Sequence, residues 1–290
     1  MPRLKYLDIK LVLPGSLISD APNLRLKTLK VGQVGRLAAI FRVSEILLYA
    51  DHSYSEQRED LILIKKILDY MEAPQYLKKR LFPPSPLLKY AGVLPPLASP
   101  HHPLQSRKTD LRNGEFREGV VVVNDSEGTL VDIGVEQPQR LIGANLPMNS
   151  RVTVKVVVKN TELYLEEANP DEIRDYWGYS VTISRDSLGS TLQKLRPALI
   201  ILTSKYGTAF RDVSEKILER WKDAWKLILV FGGPYQGLKE LLEREKKSPQ
   251  EIGDFLVNFI PNQATRTVRT EEAVSAALAV LNMYRENTSK

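Results

Sequence analysis

Four strings in the chain hold residue types that could do chemistry. In Leu227-Ile-Leu-Val-Phe-Gly-Gly-Pro-Tyr235 an apolar run leads straight into paired glycines. Glycine lets a ligand approach the backbone closely, and open α/β sheets bind ligands beyond the C-terminal ends of their strands. The same string also reads as a tight turn after a core strand. Asn258-Phe-Ile-Pro-Asn-Gln-Ala-Thr-Arg-Thr-Val-Arg-Thr-Glu-Glu-Ala273 is a polar loop whose backbone could satisfy a purine ring. Thr270 reads as an N-cap there, with Glu271 and Glu272 complementing the helix dipole. Arg36 stands among small residues at what reads as the start of a helix, Val31-Gly-Gln-Val-Gly-Arg-Leu-Ala-Ala-Ile-Phe-Arg-Val43. In a cleft its guanidinium could hold phosphate or polarise an acceptor base. His101-His102 is too small a ligand set for a metal, so no metal site is expected; a loop contact to RNA or a structural role fits the pair better.

These residues need elements to position them. Residues 5–13 read as a strand ending at Pro14-Gly15, 31–43 as a helix, 44–49 as a buried strand, and 55–72 as an amphipathic helix with Leu61, Ile64, Leu68 and Met71 on one stripe. Eight of the 18 prolines fall in 73–118, where no long helix or central strand fits. Residues 119–168 turn to short strands: Val120–Val123, Thr129–Val135, Arg151–Val158 with its valines on one face, and Thr161–Glu166. That pattern suits a small barrel, OB-like or SH3-like. Alternation then returns, with strands Ala198–Leu202 and Leu227–Phe231 and helices Asp212–Ala224, Ser248–Leu256 and Thr270–Tyr284, the last with Ala273, Ala276, Ala277 and Val280 on one face. The expected organisation is one α/β domain in two pieces, 1–72 and 170–290, around an inserted basic, Pro-rich and β-barrel segment, 73–169.

Composition narrows the function classes. Cysteine is absent and only three histidines occur, which excludes disulfide frameworks, thiolate-ligated metals and cysteine nucleophiles. The net charge is +6, concentrated in two zones: residues 1–50 and 73–118 each carry eight Lys/Arg against three Asp/Glu. Such zones suggest an anionic partner, nucleic acid first. No apolar run approaches the length of a membrane span and no signal-peptide pattern opens the chain, so no membrane association and a cytoplasmic location are expected. Neither G-x-G-x-x-G nor G-x-x-x-x-G-K-[ST] occurs.

Taken together, Gly32-Gln-Val-Gly-Arg-Leu-Ala-Ala-Ile-Phe-Arg-Val43, Pro74-Gln-Tyr-Leu77, Tyr176-Trp-Gly-Tyr179, Phe231-Gly-Gly-Pro234, Ile260-Pro-Asn-Gln263 and Arg269-Thr-Glu-Glu-Ala273 resemble the SPOUT superfamily of S-adenosylmethionine-dependent RNA methyltransferases. More narrowly, they resemble the branch with an inserted OB-like domain that methylates uridine N3 in large-subunit rRNA. The resemblance implies a trefoil-knotted parallel-sheet domain, a homodimer, and a methyl donor held in the knot. It implies cofactor contacts from Thr203, Ser204, Gly232, Gly233, Pro234, Phe259, Ile260, Thr267, Val268 and Arg269, and a catalytic role at the acceptor for Arg36. The chain departs from the ribose-methylating branch, having Thr267-Val-Arg269 where that branch has Ser-Leu-Asn.

A sulfonium methyl is already activated, so the protein's tasks would be alignment and exclusion of water. A cationic Arg36 could favour the anion formed as uridine N3 loses its proton, and the base would have to be unpaired or flipped out. RNA contacts are expected from Lys78, Lys79, Arg80, Arg107 and Lys108, with Tyr76, Phe82 and Tyr90 as candidate stacking platforms unless they are packed in a core. The alternative is a non-catalytic RNA-binding ribosome-assembly factor of the same fold, which cofactor binding would distinguish.

Overall fold

The computed structural model describes residues 8–126, 128–159, 162–224 and 226–285. Along the chain these form β1 (Asp8–Pro14), α1 (Leu24–Ile40), β2 (Val43–Tyr49), α2 (Tyr54–Glu72), α3 (Lys78–Leu81), β3 (Phe116–Asp125), β4 (Gly128–Asp132), β5 (Gln139–Ile142), β6 (Arg151–Lys159), β7 (Glu162–Glu167), β8 (Ser180–Ile183), α4 (Leu188–Lys194), β9 (Leu199–Ala209), α5 (Phe210–Asp223), β10 (Lys226–Val230), α6 (Leu238–Arg244), α7 (Pro249–Ile252), β11 (Phe255–Asn258) and α8 (Thr270–Arg285). They divide into two compact units. One takes the chain up to Asp69, Leu87–Pro95 and everything from Tyr179; the other takes Tyr70–Pro86 and Pro96–Gly178.

The first unit is an α/β layer structure on a six-stranded sheet in the order β11-β9-β10-β1-β2-β8, with every neighbouring pair parallel. The central strands β1 and β10 are buried on both faces, which is why Leu227–Val230 reads as a continuous apolar run and β1 is interrupted only by Lys10, buried by pairing with Glu45 at 2.7 Å. One face carries a core of Val12, Tyr49, Leu192, Ile200, Leu202, Ile228, Val230 and Leu242. Several sequence expectations are corrected here. Helix α1 begins seven residues before Val31, at Leu24, where the Asn23 side chain accepts the Leu26 N–H at 3.0 Å. Arg36 therefore lies well inside the helix and not at its start. The helix read over Ser248–Leu256 stops at Ile252, closed by a Ser248–Glu251 capping box, and Phe255 and Leu256 belong to β11. Strand β9 runs on to Ala209, so Thr203 and Ser204 lie within it and not in a loop after it. Strand β8 and helices α4 and α6 were not anticipated. On α8 the buried stripe is Val274, Ala277, Leu278 and Leu281, while Ala273, Ala276 and Val280 are half-buried. Residues 5–7 of the first expected strand lie outside the described residues.

The second unit holds a closed five-stranded barrel in the order β3-β4-β5-β7-β6. Its pairs are antiparallel except β5–β7, which is parallel. Val121, Val131, Ile133, Leu141, Val152, Val154, Val156 and Leu165 fill it. Val158 turns outward, 37 % exposed, so the valine stripe of β6 ends one residue pair early. Strand β4 ends at Asp132, before the left-handed Gly134, and β5 was not anticipated. Thr161, read as the first residue of the last strand, lies outside the described residues. The Pro-rich stretch forms only α3 and short 3-10 turns.

A buried ionic network ties this unit together. Arg151 reaches Glu72 at 2.5 and 3.0 Å and Glu118 at 2.5 Å. Thr153 and Trp177 also donate to Glu118. His101 and His102 both point Nε2 at the Glu72 carbonyl, at 3.0 and 2.6 Å. A carbonyl only accepts, so Nε2 carries the proton in both rings. The histidines are therefore structural, and among the described residues no cluster of three or more His, Asp or Glu could hold a metal ion.

The network sets an acid-sensitivity with a definite sign. Burial would raise the Glu72 pKa, but the hydrogen bonds and charges of His101 and Arg151 bring it down from 4.5 to about 2. Burial, with the nearby His101, lowers that of His102 from 6.5 to about 4. In both cases the unfolded chain binds the proton first as pH falls. The stabilisation is whole above pH 6.5, is lost through His102 between 6.5 and about 4, and through Glu72 between 4.5 and about 2. The urea midpoint of the full chain is expected to fall across both windows, and His102→Gln is expected to remove the upper one. A flat midpoint between pH 6.5 and 4 in the unsubstituted protein would refute the His102 assignment.

Candidate functional site

Strand β10 ends at Val230 and the chain turns through Phe231–Gly237 into α6. Three successive carbonyls of this turn are each held by a side-chain hydroxyl from a different element. Thr203 Oγ1 on β9 donates to Val230 O at 2.8 Å, Tyr49 OH at the end of β2 to Phe231 O at 2.8 Å, and Thr270 Oγ1 on α8 to Gly232 O at 3.3 Å. Tyr49 is fully buried; burial first, and the Asp51 charge second, push its hydroxyl pKa well up, so it remains a donor. Beneath the turn, Asp51 accepts the Ser16 N–H at 3.0 Å, the Ser16 hydroxyl, and Gln57 Nε2 at 2.8 Å. Gly233 lies directly on this buried polar cluster.

The neighbouring wall comes from an excursion in β9. Strand β11 pairs Leu256 with Leu202 but Val257 with Thr208, so residues 203–207 arch out between the two paired stretches. Gly207 permits it, since a Cβ there would stand 2.7 Å from the Val257 carbonyl carbon. The Asn258 amide holds the arch by donating to Lys205 O at 2.9 Å. The third wall is the loop 259–269, where Phe259 stacks on Phe210 at 5.2 Å and the Asn258 side chain accepts the Ile260 N–H at 2.9 Å. Thr270 is the first residue of α8 and not its cap; Arg269 precedes the helix, and the Glu272 carboxylate reaches back to accept its N–H at 2.8 Å. Glu271 pairs with Lys30 at 3.1 Å.

These walls enclose one pocket of about 400 Å³ beyond the C-terminal ends of β9, β10 and β11. Nine of the ten expected cofactor contacts line it: Thr203, Ser204, Gly232, Gly233, Pro234, Phe259, Ile260, Thr267 and Val268. Arg269 does not; its guanidinium turns toward Asp20 at 3.8 Å. Arg36, half-buried on α1, does not line it either. The sequence reading did not single out Lys205, Tyr206, Tyr235 or Gln236, which also line it. Gln236 Oε1 is buried with no partner among the described residues. Apolar Val257, Ile260 and Val268 on its wall suit the face of a planar ring, and the volume lies within the range of small-molecule sites. The pocket therefore fits a small organic cofactor with a planar ring.

The basic stretch looks different in the structure. In the second unit Arg80 pairs with Asp132 at 2.8 Å, Arg107 with Asp110 at 3.0 Å, and the wholly buried Arg117 with Glu115 at 2.8 Å. Lys78 lies 4.4 Å from the centre of the Tyr70 ring, and burial lowers its pKa. Lys79 and Lys108 are exposed. Tyr76 is no free platform: its hydroxyl donates to Glu118 O at 2.8 Å and its ring packs on Gly134. Phe82 meets Tyr70 edge-on at 5.4 Å. In the first unit Tyr90 is half-buried.

An open parallel sheet with a pocket past its strand ends, walled by a glycine turn and a polar loop, is the architecture of an α/β enzyme that binds a small organic cofactor. The sequence profile of the family described as "Putative RNA methyltransferase" matches residues 8–281. The chain belongs to that family. It is 32 % identical over 94 % of its length to the proteins named 28S rRNA (uridine-N(3))-methyltransferase of Drosophila melanogaster, Mus musculus and Homo sapiens. It spans 61 % of the fly protein, 75 % of the mouse protein and 77 % of the human protein. No helix among the described residues is long and apolar enough to cross a membrane.

Proposed function

We propose that this protein transfers the methyl group of S-adenosylmethionine to N3 of a uridine in large-subunit rRNA. The observation that carries the reading is the convergence of Thr203, Ser204, the Gly232–Pro234 turn, Phe259, Ile260, Thr267 and Val268, far apart in sequence, on one pocket. The relatives' printed names supply the acceptor. When bound, the cofactor supplies an activated methyl group. The turn, held by Tyr49, Thr203 and Thr270, fixes where the donor lies. The apolar wall of Val257, Ile260 and Val268 keeps water out.

Uridine N3 gives its proton to bulk water as it takes the methyl group and S-adenosylhomocysteine leaves, and Arg36 favours the developing anion electrostatically. Because α1 is not part of the pocket wall, Arg36 in this reading serves a site completed by a second copy of the chain. Such a homodimer is part of this reading. A knotted path for the C-terminal segment is part of this reading, and the barrel's single parallel pair supports its OB-like side. The inserted unit then holds RNA. No observation in the pocket favours a non-catalytic assembly factor.

Calorimetry of S-adenosylmethionine and S-adenosylhomocysteine tests the pocket, with one site per chain expected. Arg36→Ala is expected to slow methyl transfer about 100-fold or more, the scale of losing one electrostatic contact to a developing anion. Its S-adenosylhomocysteine affinity should be unchanged. Full transfer by a folded Arg36→Ala protein would end the role given to Arg36.

A further inference from the structure

Among the described residues, only two Phe, Tyr or Trp side chains are exposed, Tyr206 at 77 % and Tyr235 at 70 %, and both line the same pocket. Scattered exposed apolar residues need no explanation, but these two share one site. Each is carried on backbone that is fixed independently of it. Tyr206 sits on the β9 arch, where Ser204 Oγ accepts its N–H at 3.2 Å and Asn258 holds the preceding carbonyl. Tyr235 sits on the turn whose carbonyls are pinned by Thr203, Tyr49 and Thr270.

Cations line the same site. Lys205 Nζ lies 5.0 Å from the Tyr206 ring centre, and Lys239 and Arg266 stand on the same pocket wall. Among the described residues neither Lys205 nor Arg266 has a carboxylate partner. Lys239 faces Glu243 only at 3.8 Å, and Glu240 is the one acid on the wall. Exposed rings flanked by uncompensated cations are the arrangement that holds a single-stranded nucleic acid: the rings take base faces and the cations take phosphates.

We infer that Tyr206 and Tyr235, with Lys205 and Arg266, form the acceptor-nucleotide site at the mouth of this pocket. They stack an unpaired uridine and its neighbour and bind the flanking phosphates, which brings the base to the donor. This assignment rests on the methyl-transfer reading above, and it places base recognition in the α/β unit and not on Tyr76, Phe82 or Tyr90 of the sequence expectation.

The test uses the full chain, a fluorescent 12-nucleotide oligouridine as RNA probe, and S-adenosylhomocysteine calorimetry in parallel. Tyr206→Ala and Tyr235→Ala are each expected to weaken oligouridine binding about tenfold, the lower part of the range for one stacked base. Tyr→Phe at either position should keep affinity within about twofold, because stacking needs the ring and not the hydroxyl. Affinity for S-adenosylhomocysteine and molecular mass by light scattering should not change. Unaltered RNA affinity in both alanine variants, or no oligouridine binding by the unsubstituted chain, overturns the proposal. So does a loss confined to S-adenosylhomocysteine, which would make the tyrosines part of the cofactor wall, or a change of mass, which would make them a subunit contact. If the unsubstituted chain binds oligouridine through these tyrosines but no S-adenosylhomocysteine, the methyl-transfer reading fails and the RNA site stands.

Discussion

Gly233→Ala is expected to weaken S-adenosylhomocysteine binding at least tenfold while leaving the protein folded. A Cβ at this position would collide with Ser16 Oγ and come 2.5 Å from Asp51 Oδ2. Neither group can withdraw easily. Asp51 is 5 % exposed and its oxygens are already taken by the Ser16 backbone and hydroxyl and by Gln57. Relief requires the turn to lift into the pocket or the buried cluster to open, and overpacking of this kind costs about 1–3 kcal/mol. Each 1.4 kcal/mol that falls on the bound state is about tenfold in affinity. Gly232→Ala is the internal control. Its nearest neighbours stand at 3.2 Å, the Gln236 carbonyl among them, and shifts of a few tenths of an ångström accommodate it. Calorimetry on the two variants should separate them clearly; the reverse order would mean that the wall of the site is not this turn.

The second large effect lies in the barrel unit. Arg151→Met is expected to destabilise it by about 1–3 kcal/mol, the scale of leaving buried acceptors without their donor. Arg151 is the shared cation of Glu72 and Glu118, whose side chains are 9 % and 4 % exposed. Without it, Glu118 keeps Thr153 and Trp177 as donors and Glu72 keeps His101. Two nearly buried carboxylates would then face each other without a compensating charge. Arg151→Lys should recover part of the loss, since it restores the charge but not the forked contact to both acids. Urea unfolding of the full chain at pH 7 measures both variants. In the Met variant the acid-sensitivity assigned to Glu72 should also shrink, because Arg151 is one of the groups that lower its pKa.

How much of this was legible in the sequence depends on what each residue buries against. Strands β1 and β10 were readable because both faces are covered and nearly every buried position is apolar, the exception being Lys10, which pairs with Glu45 at 2.7 Å. Strand β11 was not, because it has four residues and follows a one-turn helix. The first half of α1 was missed because one of its inward positions is Lys30, which is buried only by pairing with Asp20 and Glu271 at 2.6 and 3.1 Å. Among site residues, the Gly232–Pro234 turn announces itself through its composition. Tyr49 cannot, because its role is one hydroxyl given to a carbonyl 182 residues away. In the basic stretch, likewise, the pairing of the cations is visible only in the structure. Charge counts do not show that Arg80, Arg107 and Arg117 already have acids beside them.

The most direct test of the account is to give the purified chain S-adenosylmethionine carrying an isotopically labelled methyl group together with large-subunit rRNA, digest the RNA, and identify the labelled nucleoside by mass spectrometry. The account predicts label in 3-methyluridine, reduced by Gly233→Ala and formed about 100-fold or more slowly by Arg36→Ala. Label recovered in a ribose-methylated nucleoside, or none at all from a protein that binds the cofactor, would contradict it.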